Sequence, residues 1–128
     1  MTYADTSVIL ARLFAEDSSP PDSFWGKDLV ASRLVQYEVW NRVNARGAGA
    51  SHGESARALL DRIAMVEMNP DILARALEPF PLPVRTLDSL HLATICYLRD
   101  KDPGLELATY DQALARAART LKVRVTSP

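Results

Sequence analysis

Four acidic residues stand where a carboxylate could do chemistry, namely Asp5, Glu38, Asp88 and Asp111. Asp5 directly follows the first apolar run, and Asp111 directly follows another that ends near Thr109. Ligands of open parallel sheets bind outside the carboxyl ends of the strands, where the strand order reverses. If these two runs are neighbouring strands, two carboxylates far apart in sequence meet at that edge. Alternatively, both residues only cap the helices that follow them, a role in which Asp is among the preferred residues.

Asp88 and Glu38 are harder to explain as structural residues. Asp88 falls in the first turn of the most apolar helix, where a carboxylate favours the helix dipole but is costly to bury unpaired. Glu38 lies among apolar neighbours on a helix that should face the sheet. A half-solvated salt bridge to Arg42, one turn further along that helix, is the alternative role for its carboxylate. Each therefore has a structural interpretation beside the functional one, because buried carboxylates mark sites only statistically.

Carboxylates that converge on one sheet edge repel one another unless a cation lies among them. Oxygen ligands suit hard divalent ions, and Mg²⁺ is held by a few carboxylates together with water and substrate phosphate. Such an ion activates water and stabilises charge on a phosphoryl group, and paired ions recur in nucleases. These residue types point to metal-dependent phosphodiester hydrolysis but do not identify it on their own.

Short apolar runs alternate with helical periodicity along the chain, and these elements must position the four acids. Strands are predicted at 1–4, 29–31, 65–68, 105–109 and 123–125, and helices at 8–14, 34–46, 53–63, 70–77, 86–99 and 111–121. This alternation is typical of a mainly parallel sheet with helices on both faces. We expect four or five strands in a three-layer α/β/α sandwich.

The length of 128 residues leaves room for one domain, 1–128, with one core. A formal net charge of -1 excludes a uniformly basic nucleic-acid binder. That total conceals acidic segments, -3 over 1–39 and -4 over 63–111, and basic ones, +2 over 40–62 and +4 over 112–128. A polyanion would therefore have to be bound locally.

The single cysteine, Cys96, cannot form an internal disulfide. No leader peptide opens the chain, and no apolar window approaches the roughly 18 residues of a spanning helix. We therefore expect a protein of the reducing cytoplasm.

Four motifs in order resemble those of the PIN-domain ribonucleases, and more narrowly those of the VapC toxins of bacterial toxin–antitoxin pairs. They are Tyr-Ala-Asp-Thr-Ser at 3–7, Glu-Val-Trp-Asn-Arg at 38–42, Leu-Asp-Ser-Leu-His-Leu-Ala-Thr at 87–94 and Ala-Thr-Tyr-Asp at 108–111. The third is the most specific, whereas the first alone is a weak signal. The resemblance covers essentially the whole chain, in the family's motif order. Ser89 departs from it, because the family has a small alanine there.

The resemblance implies a PIN-like fold and a metal-dependent endoribonuclease that acts as a toxin. The residues it implies as catalytic and as ligands of Mg²⁺ or Mn²⁺ are Asp5, Glu38, Asp88 and Asp111. The resemblance also implies that polar residues beside the four acids orient a ligand or a water; these are Thr6, Ser7 and Thr109. A metal-activated water would attack the phosphorus and leave 5′-phosphate and 3′-hydroxyl ends. The implied partners are RNA, a VapB-type antitoxin on a separate chain and a second copy of this chain.

Basic residues accompany two of the acidic motifs. Arg42 and Arg46 continue the second motif's helix, while Arg116 and Arg119 follow the fourth motif. If they flank the acidic pocket, they would hold RNA phosphates beside the metal. Lys and Arg near helix ends also stabilise the helix dipole, so part of this clustering needs no RNA.

Three further side chains receive structural interpretations. His91, one turn beyond Asp88, is interpreted as packing or hydrogen bonding, because an all-carboxylate site needs no imidazole. Trp25 and Trp40 could stack on unpaired bases. Packing against a loop, a helix or a dimer face is the preferred interpretation of both.

Two other functions stay open. A receiver-like phosphoacceptor domain is also a small α/β protein with an acidic Mg²⁺ pocket. It would need an acidic doublet, a phosphoacceptor Asp after a central strand and a late Lys, and the spacing here fits poorly because Lys122 lies past the last carboxylate. A catalytically silent PIN fold would be an RNA-binding or interaction module, although all four acids are present.

Overall fold

Five short strands form the centre of the computed structural model, which describes residues 1–128. They are β1 (Thr2–Ala4), β2 (Leu29–Ser32), β3 (Ala64–Val66), β4 (Glu106–Ala108) and β5 (Arg124–Thr126). All pairings are parallel, and the order across the sheet is β3-β2-β1-β4-β5. The predicted parallel sheet is confirmed, and β1 and β4 are neighbours.

Six α-helices connect the strands. They are α1 (Thr6–Leu13), α2 (Leu34–Ala45), α3 (Gly49–Leu60), α4 (Pro70–Ala76), α5 (Thr86–Lys101) and α6 (Gln112–Thr120), and a short 3-10 helix covers Asp22–Gly26. Right-handed crossovers place α1, α2 and α3 on one face of the sheet and α4, α5 and α6 on the other. Accordingly, the first three helices contact one another, and α4 packs on α5. This is the predicted three-layer α/β/α sandwich. No helix is long and apolar enough to cross a membrane.

Most element boundaries differ from the prediction by one or two residues, and those of α3 differ most. Helix α3 begins at Gly49 rather than at 53, because burial of Ala48 and the fit of Gly53 against Trp40 outweigh the low helix propensity of that Gly- and Ser-containing stretch. Strand β3 ends at Val66 rather than at 68, since a turn follows in which the Asn69 N–H donates to the Glu67 carbonyl.

The central strand β1 is buried along its whole length. This is expected of a parallel strand that is covered on both faces of the sheet. Its ladder with β4 pairs Ala4 with Ala108, and the Asp5 N–H continues it by donating to the Ala108 carbonyl at 3.1 Å. The packed core therefore holds the carboxyl ends of β1 and β4 side by side.

Candidate active site

A cleft of about 1520 Å³ opens at the carboxyl edge of β1 and β4. Its lining includes all four acids singled out in the sequence, Asp5, Glu38, Asp88 and Asp111, together with Thr6 and Ser7. Thr109 is 1% exposed and does not line the cleft, but its hydroxyl donates to the Asp5 carboxylate. Residues from four distant parts of the chain thus share one surface.

Asp5 is held through one of its two carboxylate oxygens. Its Oδ2 accepts from the Ser7 hydroxyl at 2.7 Å, from the Thr109 hydroxyl at 2.8 Å and from the Ser7 N–H at 3.3 Å. Asp5 is only 5% exposed, yet its Oδ1 has no hydrogen-bond partner in the protein. Ser7 and Thr109 therefore fix the carboxylate and leave one oxygen available.

Asp111 caps α6 with a single oxygen. Its Oδ1 accepts from the N–H groups of Ala113 and Leu114 at 2.9 and 3.1 Å, and its own N–H donates to the Thr109 hydroxyl at 2.9 Å. The contact between Ser7 and Asp5 is likewise a cap, at the start of α1. Because each cap uses one oxygen, capping and ligand binding are compatible roles of the same carboxylates.

Glu38 is also bonded through one oxygen. Its Oε1 accepts from the Thr6 hydroxyl at 2.8 Å and lies 2.6 Å from His91 Nε2. Glu38 bonds to His91 and not to Arg42, so the salt bridge to Arg42 that the sequence left open is not formed. The interpretation of His91 as a hydrogen-bonding residue is confirmed, and its partner is a site carboxylate.

Asp88 stands in the first turn of α5, as predicted, and has no hydrogen-bond partner in the protein. Partial burial raises its pKa, with a further rise from the charge of Asp111 and smaller ones from Asp5 and Glu38, while His91 opposes them. The carboxylates therefore repel one another across the cleft, which a bound cation would relieve.

The donor set suits a hard divalent cation. All four candidate ligands are carboxylates, and each keeps at least one oxygen without a protein partner. No three His, Cys, Asp or Glu side chains lie close enough together to form a complete metal site. Mg²⁺ usually keeps several waters and takes only one or two carboxylates plus substrate phosphates. The residues therefore fit a partly hydrated ion rather than one enclosed by protein.

Only one of the four arginines expected beside the acids lines the cleft. Arg42 does, whereas Arg46 follows α2 and lays its guanidinium over the Phe14 ring at 4.0 Å from the centroid. Arg116 and Arg119 lie on the exposed side of α6, whose other side is buried. They miss the cleft because only the start of α6 reaches it.

Among the other residues of the cleft, Arg85 and Tyr37 were not singled out by the sequence. Arg85 immediately precedes α5 and lines the cleft, and Tyr37 lines it while 67% exposed. Their nearness to the acidic motifs is the only sequence signal that points to them. Trp25 is buried in the core, as interpreted, whereas Trp40 packs on α3 and also lines the cleft.

The strand order argues against a receiver-like domain. Flavodoxin-like domains, which receivers resemble, have the order 2-1-3-4-5. Here β3 lies at the edge beyond β2, and β4 is the strand beside β1. The acidic cleft consequently forms between β1 and β4.

Comparisons with known proteins point to one family. The chain matches the family model of the PIN domain over residues 2–120. It is 40% identical over 100 residues to Ribonuclease VapC46 of Mycobacterium tuberculosis, covering 77% of this chain and 73% of the relative. It is 28% identical over 135 residues to Ribonuclease VapC47 of the same species, and the match covers 100% of this chain and 97% of that relative. Ribonuclease VapC35 of that species is 30% identical over 100% of this chain and 97% of the relative.

One solved structure, a toxin–antitoxin complex from Klebsiella pneumoniae, matches with a TM-score of 0.65 and 18% identity, over 100% of this chain and 98% of that one. At 18% identity this match shows a shared fold and nothing more. Together with the family model and the relatives, it confirms the resemblance that the four motifs predicted.

Proposed function

We propose that this chain, which belongs to the PIN-domain family and within it to the VapC ribonucleases, cleaves RNA as a divalent-metal-dependent endoribonuclease. One observation carries the proposal: four carboxylates from separate elements line a single cleft, and each has an oxygen free of protein hydrogen bonds. Relatives that match the full length are named ribonucleases.

The proposed ligands of Mg²⁺, with Mn²⁺ as the alternative ion, are Asp5, Glu38, Asp88 and Asp111. When bound, such an ion activates water for attack on phosphorus and stabilises the charge that builds on the phosphoryl group. The protein contributes orientation. Ser7 and Thr109 hold Asp5, and Thr6 holds Glu38, each through a hydroxyl that donates to one carboxylate oxygen.

Arg42 and Arg85 are the proposed phosphate contacts. Both line the cleft that holds the acids, and a guanidinium can donate two hydrogen bonds to one phosphate. Such contacts position RNA without reading its sequence. Arg46, Arg116 and Arg119 would act only on RNA that extends beyond the cleft.

We further propose that the chain is the toxin of a toxin–antitoxin pair, working as a homodimer in the cytoplasm with a VapB-type antitoxin. The VapC relatives and the shared fold of a solved toxin–antitoxin complex support this assignment. An antitoxin that covered the acidic cleft with a basic side chain would block both metal and RNA.

Incubating the purified protein with total RNA tests the activity. We expect cleavage with Mg²⁺ or Mn²⁺, none with a chelator, and none from Asp5→Asn or Asp88→Asn. Asp100→Asn is the matched control, because Asp100 is exposed on the same helix as Asp88 and does not line the cleft. Cleavage that survives both site substitutions, or that ignores the chelator, would refute the proposal.

A further inference from the structure

A buried line of hydrogen bonds joins the sheet to Glu38. The Ser32 N–H donates to the Tyr3 hydroxyl oxygen at 3.1 Å, that oxygen lies 2.7 Å from His91 Nδ1, and His91 Nε2 lies 2.6 Å from Glu38 Oε1. Ser32 and Tyr3 are fully buried, and His91 is 2% exposed. The line therefore starts on the backbone of β2 and ends on a cleft carboxylate.

The direction of these bonds follows from what each group can donate. A backbone N–H only donates, so the Tyr3 oxygen accepts from Ser32, and toward a neutral imidazole the Tyr3 hydroxyl donates its own hydrogen to His91 Nδ1. Nε2 then carries the imidazole hydrogen and donates it to Glu38, and Nε2 donates in the same way when both ring nitrogens are protonated. Edge-on packing of the Tyr3 and His91 rings, with centroids 6.0 Å apart and planes at 81°, also holds the imidazole in place.

We propose that Tyr3 and His91 are positioning residues for Glu38, holding Oε1 so that Oε2 remains available to a divalent cation. The inference rests on the proposed function. A Glu side chain has several rotatable bonds, and its ordering costs conformational entropy. Two donors on one oxygen, from Thr6 and from His91, restrict that freedom before any ion binds.

The polar character of the buried groups distinguishes a positioning role of Tyr3 and His91 from simple core packing. A buried imidazole is costly unless it is hydrogen-bonded, and the only side chains that bond to His91 are Tyr3 and Glu38. An apolar residue would fill the same space without that cost. Partners that orient metal ligands in this way typically contribute about 10- to 100-fold to metal affinity.

Isothermal titration of the metal-free protein with Mn²⁺ tests the proposal. We expect Tyr3→Phe and His91→Leu each to lower the Mn²⁺ affinity by about 10- to 100-fold. His91→Gln, which keeps an amide donor near the Nε2 position, should recover part of the loss. Tyr110→Phe is the matched control, because the Tyr110 hydroxyl is buried without a hydrogen-bond partner, and it should bind Mn²⁺ as the native chain does.

The outcomes separate this inference from the proposed function. If the native chain binds Mn²⁺ and folded Tyr3→Phe binds it equally well, Tyr3 and His91 do not position Glu38, while the metal site stands. If the native chain binds no Mn²⁺, both the inference and the proposed function fall. Tyr3→Phe removes one oxygen and keeps the ring, so it tests the inference even if His91→Leu does not fold. RNA affinity in chelator should be the same for all variants.

Discussion

The Thr109 hydroxyl donates to Asp5 Oδ2 at 2.8 Å and accepts from the Asp111 N–H at 2.9 Å. One buried hydroxyl thus connects the carboxylate of Asp5 to the backbone of Asp111, although most of the chain separates the two residues. The relationship follows from the pairing of β1 with β4, whose carboxyl ends lie side by side.

Thr109→Val should therefore damage both folding and activity. It leaves the Asp111 N–H without its acceptor and Asp5 without one donor, which should lower the free energy of unfolding by about 1–3 kcal/mol. Thr109→Ser keeps the hydroxyl and should retain most of both properties. Urea denaturation and RNA cleavage rates measure the two effects, and a valine variant as stable and active as the serine variant would contradict the account.

Asp88→Asn should stabilise the metal-free protein while abolishing cleavage. The pKa of Asp88 is raised by burial and by Asp111, so ionisation of Asp88 costs folding stability as the pH rises through that raised value. The neutral amide removes this cost at pH 7, a gain below about 1 kcal/mol because solvent screens the half-buried group.

The melting temperatures of the native chain and of Asp88→Asn, measured across a range of pH, show whether the substitution stabilises the protein. Well below the ordinary carboxyl pKa of about 4, Asp88 is protonated in both states and the two proteins should melt alike. At pH 7 and without metal, the Asn variant should melt higher. A lower melting temperature of Asp88→Asn at pH 7 would show that the carboxylates do not repel one another.

Substitutions at Asp111 should separate its capping role from its catalytic role. Asp111→Asn keeps an oxygen for the cap, whereas Asp111→Ala loses it and should cost about 1 kcal/mol of stability. Both should lose cleavage. Asn69→Ala is the control, because Asn69 caps α4 through a bond from the Ile72 N–H at 2.9 Å. It should lose similar stability and keep its activity; loss of activity there would mean that Asp111 variants fail through stability alone.

Arg85→Gln should weaken RNA binding more than Arg116→Gln does. Arg85 lines the cleft and Arg116 does not. Each lost phosphate contact should reduce the slope of log affinity against log salt concentration by about 0.7 for a single-stranded RNA. This slope is measured from the binding of a single-stranded RNA at several salt concentrations in the presence of a chelator. Equal salt slopes for Arg85→Gln and the native chain would remove Arg85 from the interface.

The sheet and three of the acids could be predicted from the sequence for local reasons. Asp5 and Asp111 each follow an apolar strand, and Asp88 puts a charge in the first turn of an apolar helix. The parallel topology then brings the first two together, because parallel strands end at the same edge. These features depend on periodicity and on strand ends, which a sequence displays directly.

The contacts between helices could not be predicted in the same way. The bond between His91 and Glu38 joins side chains of two helices on opposite faces of the sheet, and their spacing in sequence carries no information about it. Arg116 and Arg119 were expected beside the acids because they follow Asp111, but helix α6 carries them away from the cleft. Arg85 reaches the cleft along an extended, proline-rich segment whose path is set by tertiary packing.

Anomalous scattering from crystals soaked in Mn²⁺ would show whether the four carboxylates of the cleft hold the ion. We expect an anomalous peak in the cleft, coordinated by carboxylate oxygens from among Asp5, Glu38, Asp88 and Asp111, and no such peak in Asp5→Asn. An ordered Mn²⁺ bound elsewhere, with the cleft empty in a protein that still cleaves RNA, would contradict it.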